Sequence, residues 1–244
     1  MRGVKLQVKG NWAHFKKPET NNNPLSHDFI TKTALIGIIG AVLGIERKPM
    51  KEFFPLLSEN LRYGVCINNS VQKQSWGFTL RSLTEIIDKD SKRPSKAPKQ
   101  MEFIKHPDYE IIVGLVDKSD ADAERLFEQF IKAIIEEKAC YTPVLGLHNC
   151  PAELIFINEG KLEYQTNGNF KTKGFVSSKH QPEICDLVNL RLGFDKIPTY
   201  QNNAFWSLPE KYVQVVYPSE GKSITVSGEH YNYEHDNEIK WYLI

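Results

Sequence analysis

Val4, Leu6 and Val8 alternate with Lys5, Gln7 and Lys9, a period of two that predicts a half-buried strand over residues 3–9. The run "TALIGIIGAVLGI", residues 33–45, carries no charge and predicts a helix, with Thr31 or Thr33 as its N-cap. Gly37, Gly40 and Gly44 fall three and four apart on one helical face. Each glycine costs a helix about 1 kcal/mol relative to alanine, so that face is expected to lie close to other backbone or to a ligand. The glycines of a GxGxxG phosphate loop lie in the turn before a helix, so this is a different pattern. Pro49 opens a short second helix over roughly 50–60, and residues 61–83 alternate as strands do.

"IIVGLV", residues 111–116, is continuously apolar and predicts a central strand. Residues 119–138 give the clearest helix, with Ser119 and Asp122 placed like a capping box. Leu126, Phe127, Phe130, Ile131, Ile134 and Ile135 form its apolar stripe. "CYTPVLGLHNCPAELIFI" then runs through a Pro/Gly loop into another strand. Between the alternating region and the central strand lies "DKDSKRPSKAPKQMEFIKH", residues 88–106, whose lysines and prolines predict an exposed, mobile loop.

This order is strand, helix, strands, basic insertion, strand, helix, strand. It predicts an α+β chain with the βαββαβ order of a ferredoxin-like (RRM-like) sandwich, helices on one sheet face and the other face free. RNA-recognition modules of this topology bind RNA on the open sheet. Residues 159–244 change character, with turn signals at Glu159-Gly160 and Glu220-Gly221 and aromatic strands at "KYVQVVYP" and "EIKWYLI". The expected division is a ferredoxin-like domain over 1–158 with an insertion at about 70–106, then a smaller, mostly β region over 159–244.

Composition narrows the classes. The chain has 244 residues, 25% charged and 41% hydrophobic, which suits a soluble globular protein with a sizeable core. No apolar run approaches the roughly 18 to 20 residues that cross a bilayer, and the alternating N-terminus does not resemble a signal peptide. A cytoplasmic protein without a membrane partner is expected. Cys66, Cys140, Cys150 and Cys185 lack CxxC spacing, so free thiols are expected, and zinc held by Cys140, His148 and Cys150 is disfavoured. No cofactor or metal is expected. Net charge is +1, yet residues 1–51 hold nine Lys/Arg against three acids, while residues 108–137 hold nine acids against three bases. Such a molecule can offer one face to a polyanion and another to a protein neighbour.

Three stretches then converge on one family. "WAHFKKPETN", "KTALIGIIGAVLG" and "TPVLGLHNCPAEL" resemble the strand, "AxFKKP"-like segment, "TALxGxxGAxLG"-like helix and Pro-x-x-Gly element of one group. That group is the CRISPR-associated RAMP (repeat-associated mysterious protein) superfamily, and within it the Cascade subunit of Cas family five that caps the crRNA 5′ handle. The match is strongest over residues 4–48, weaker over 107–155, and resembles type I-B members most. The resemblance implies a ferredoxin-like palm with a β-hairpin thumb between its second and third strands. It also implies partners: crRNA, a backbone RAMP subunit, a large subunit and nearby target DNA.

The candidate RNA-binding residues on this reading are Trp12, His14, Lys16, Lys17, Asn22, Lys32, Thr33, Lys73, Trp76, Lys92, Arg93, Lys96, Lys99, Lys105, Gly146 and His148. Aromatic rings can stack on unpaired bases, lysines can meet phosphate, and a helix N-terminus offers N–H groups and positive dipole. One of Trp12 and Phe15 is expected in the core. The rival reading is a metal-independent endoribonuclease acting through the 2′-hydroxyl, as in one branch of the family. It would use Lys105 and His106 with Tyr63 or Tyr109, or His14 or His27 alone. No local spacing ties those residues together, so a non-enzyme is expected.

Overall fold

The computed structural model describes residues 1–20, 22–46, 48–81, 96–182, 190–200 and 208–244. Strand β1 (Arg2–Lys9) leads into the short strands β2 (Trp12–Ala13), β3 (Phe15–Lys16) and β4 (Ser26–His27). Helix α1 (Lys32–Leu43) is capped by Thr31, whose side chain accepts from the Ala34 N–H, and stops at Gly44 in the left-handed region. Helix α2 (Met50–Asn60) follows Pro49. Then come β5 (Leu61–Ile67), β6 (Gln72–Arg81), β7 (Lys96–Lys105) and β8 (Asp108–Leu115). Helix α3 (Ala121–Ile135) is capped by Asp120, which accepts from the Asp122 N–H. The cap is therefore one residue later than expected, and Ser119 instead donates to Glu124.

The chain continues through β9 (Glu153–Gln165), β10 (Asn169–Thr172), β11 (Val176–Ser177) and β12 (Gln181–Pro182). It closes with β13 (Leu192–Tyr200), β14 (Lys211–Pro218), β15 (Ile224–Ser227) and β16 (His230–Tyr233). The main sheet runs β16-β9-β1-β8-β5, with every pairing antiparallel. The apolar run 111–116 falls in β8 up to Leu115, an interior strand as expected. α1, α2 and α3 cover one face through Leu35, Ile39, Phe53, Phe127, Phe130 and Ile131.

The other face is not free. Trp241 and Leu243 pack there with Cys66, Ile112, Leu162 and Tyr233. Lys5 on that face is only 9% exposed, and its ammonium meets Asp236 and Glu110, each at 2.9 Å. Alternation predicts Lys5 in water; the carboxylates of Glu110 on the neighbouring β8 and of Asp236, after the last strand, let it be buried instead. "EIKWYLI" is not a strand: Trp241 exchanges hydrogen bonds with Tyr231, and Ile244 with Tyr63. Burying these side chains against a sheet already formed does the work that strand pairing would have done. Glu159-Gly160 is not a turn either, because β9 passes straight through it, beside β1. The expected boundary at 158/159 falls inside that strand, and β16 adds a fifth strand to the same sheet.

Residues 96–105, expected as exposed loop, form β7, which pairs with β6 from Gln72↔Lys105 to Arg81↔Lys96. The glycine face of α1 divides. A Cβ on Gly40 would lie 2.8 Å from Met50 Sδ, one on Gly44 2.5 Å from Cys140 Sγ, and one on Gly37 would meet nothing within 4 Å. Close approach is thus to side chains of α2 and the loop after α3, rather than to sheet backbone. Cys66, Cys140 and Cys150 are free, and Cys185 lies outside the described residues. No described helix is long and apolar enough to cross a membrane.

Candidate nucleic-acid interface

A groove of about 380 Å³ opens at the N-terminus of α1, lined among others by His14, Lys16, Thr31, Thr33, Met101 and Gly146. Four of the residues singled out in the sequence, His14, Lys16, Thr33 and Gly146, meet here although they are up to 132 positions apart. The loop carrying Gly146 makes this possible. The His14 N–H donates to the Leu145 carbonyl at 3.0 Å, and Gly146 has φ +91. A Cβ at Gly146 would sit 1.9 Å from the His14 carbonyl oxygen, so only glycine lets the two segments touch.

His14 is 2% exposed. Its Nδ1 lies 2.6 Å from the Glu102 carbonyl, which can only accept, so Nδ1 carries the proton. Burial lowers the imidazole pKa, with the Glu102 carbonyl opposing, and the ring is neutral at pH 7. Its Nε2 is then a bare acceptor, buried and without a partner among the described residues. A buried acceptor left unpaired costs about 1–3 kcal/mol, so this ring, whose residue lines the groove, is short of one hydrogen-bond donor.

The β6–β7 hairpin forms the adjoining wall. Register puts Trp76, Met101, Phe78, Lys99, Phe103 and Lys105 on one face. Trp12, opposite Lys105, extends that face and meets Trp76 edge-on at 4.8 Å. Trp76 is 40% exposed over Phe103, which is buried. Of the first pair of rings, Phe15 is the core residue and Trp12 is half-buried.

Other predicted cations have partners in the chain. The Lys73 ammonium lies 2.6 Å from Asp28 and 2.9 Å from Glu102; burial pulls its pKa down, but those carboxylates more than restore it. Lys17 pairs with Asp195 at 3.0 Å, and His27 Nδ1 meets the same carboxylate at 2.9 Å. Burial works to raise the Asp195 carboxyl, yet His27 and Lys17 hold it at about 2. Asp28, Glu102 and Asp195 are the residues that sequence reasoning missed. Each carries ordinary composition locally, and Asp28 and Asp195 meet their lysines across 45 and 178 positions. Together they bind the N-terminal segment to the hairpin and to β13.

Lys99 donates to Asn22 Oδ1 at 3.3 Å, while Lys105 and His148 are exposed. Lys32 lines a different cavity. Lys92 and Arg93 lie outside the described residues, and of Lys96 only the backbone is described.

The family model of the CRISPR-associated protein (Cas_Cas5) group matches residues 3–195. The chain belongs to this family. Its fold is similar to that of a protein of a "CRISPR RNA-guided surveillance complex", at TM-score 0.55 and 11% identity over 89% of this chain and 90% of that one. It is also similar to a CRISPR protein from Archaeoglobus fulgidus, at TM-score 0.57 and 12% identity over 99% and 98%. No curated protein matches the chain.

Within this Cas5-family fold the nuclease candidates lie in different surroundings. Tyr63 is fully buried, its hydroxyl pKa pushed far up by burial, and it packs on Phe175 at 5.5 Å. Tyr109 is likewise buried, donating to the Asp28 carbonyl at 3.0 Å. Lys105 and His106 are exposed at the end of the hairpin.

Proposed function

We propose that the chain is the RNA-binding subunit of a type I Cascade surveillance complex that holds the crRNA 5′ handle in the groove at α1. The buried, unpaired Nε2 of His14 carries this reading. RNA supplies the missing donor, from a 2′-hydroxyl or a base N–H, and the same site offers Lys16 and the helix N-terminus to phosphate. Trp76 and Trp12 stand beside it as a stacking platform, and Lys99 and Lys105 share their face. On this reading the strand order β9-β1-β8-β5 is a ferredoxin-like palm, and β6–β7 is the thumb. The reading includes a backbone RAMP subunit, a large subunit, nearby target DNA and a type I-B setting.

We further propose that the chain is not a nuclease. Tyr63 and Tyr109 are buried in the core while Lys105 and His106 are exposed, which supports holding rather than cutting. The experiment uses purified protein, labelled repeat RNA and EDTA, followed on a denaturing gel. The expected result is binding without cleavage, with Trp76→Ala weakening binding by about 1–3 kcal/mol. A single site-specific cut in EDTA that disappears in His14→Ala or His106→Ala would overturn it.

A further inference from the structure

A second cavity, of about 430 Å³, lies beside the first residue of α1, with Lys32, Glu59, Arg62, Tyr200, Lys211 and Tyr242 in its wall. Lys32 is 2% exposed, and among the described residues one of its three ammonium donors is used, to the Ser58 carbonyl at 2.8 Å. Arg62 is half-buried and, among the described residues, donates to the Leu61 carbonyl at 3.4 Å, while Lys211 is exposed and lies over the Tyr200 ring at 4.5 Å. Among the described residues no carboxylate pairs with any of the three. Three cations therefore descend from the rim to the floor of one cavity whose Glu59 carboxylate, among the described residues, forms an ion pair with none of them. Burial, then Arg62 and Lys211, push the Lys32 pKa down to about 7. An isolated cation at this depth is costly unless a counter-charge joins it.

We propose that this cavity binds a phosphate group, with Lys32 as the buried anchor, Arg62 as a bidentate fork and Lys211 at the mouth. Guanidinium matches phosphate geometry with two parallel N–H donors, and the ammonium adds a point charge from below. Glu59 also lines the cavity and disfavours an anion near itself, but no ion pair among the described residues ties it to Lys32, Arg62 or Lys211, which leaves those three for the oxyanion. The site does not depend on the groove at His14. The phosphate is either free, as inorganic phosphate or a nucleotide, or part of an RNA backbone.

The test uses the full chain at pH 7 with inorganic phosphate against chloride at matched ionic strength. Two readouts are followed, the melting temperature and the NMR signals of lysine Cε carbons. Phosphate is expected to raise the melting temperature in the wild type, by the usual linkage of binding to folding. That rise is expected to vanish in Lys32→Met and to shrink in Arg62→Gln. The Lys32 Cε signal is expected to move toward its protonated position, while that of Lys222 stays put. The Cε readout needs no variant, so a misfolded Lys32→Met leaves the test intact. A Lys32 signal indifferent to phosphate, or equal melting shifts in wild type and Lys32→Met, would overturn the proposal. Loading the protein with guide RNA separates the sources. A Lys32 signal already at its protonated position without added phosphate assigns the group to RNA, and one that still answers phosphate assigns it to a free ion.

Discussion

Lys32 and Gly146 show how single residues shape this molecule. With its folded pKa lowered to about 7 against an ordinary 10.5, Lys32 binds fewer protons folded than unfolded between those values. Stability therefore rises with pH across that window, by up to about 1.4 kcal/mol per unit from this group, and the penalty is full below pH 7. Chemical denaturation in chloride buffer from pH 6 to 9.5 is expected to show this rise, and Lys32→Met to remove it; parallel curves for the two proteins would contradict the assignment. Gly146→Ala is expected to destabilise the fold by at least about 1–3 kcal/mol, because φ +91 is strained for alanine and the His14 carbonyl blocks the new methyl. The same substitution should weaken RNA binding, since it displaces His14. The pairing of Gly146 with His14 is invisible in sequence, where neither residue differs from a common loop glycine or a common core histidine.

At the scale of elements, α1 was legible because its apolar run, cap and left-handed stop are all local. What its glycines face was not, since Met50 and Cys140 arrive from other segments. Gly40→Leu is expected to cost roughly 1–3 kcal/mol in a thermal melt, because a branched side chain must expel Met50. Gly40→Ala should cost much less, as the Met50 thioether can swing aside. The hairpin was half legible. β6 alternates visibly, whereas β7 hides behind lysines and Pro98, tolerated because β2 flanks the strand only at Ile104 and Lys105. Reversing charge at Lys99 and Lys105 is expected to weaken handle-RNA binding and to flatten the log–log salt slope by about 0.7 for each phosphate left unneutralised. An unchanged slope in a filter-binding series would remove those lysines from the interface.

Across the whole molecule, the strand and helix order follows from hydrophobic period, because each period reports one buried face. Closure of the second sheet face does not, because Asp236, Trp241 and Leu243 reach β1, β5 and β8 from the far end of the chain. Lys5 illustrates the gap: its polarity signals water, and only the fold reveals the two carboxylates waiting for it. The groove shares this character, being assembled from His14 and β3, the α1 N-terminus, α2, β7, the Gly146 loop and β13. The central claim is that guide RNA lies in that groove. Ultraviolet crosslinking of a reconstituted guide-RNA complex, read by mass spectrometry, tests it most directly. The account predicts crosslinked peptides containing residues 12–16, 76 and 99–105, joined to nucleotides of the 5′ handle. Crosslinks confined to α3 or to the outer face of β16, with none at the groove or the hairpin, would contradict it.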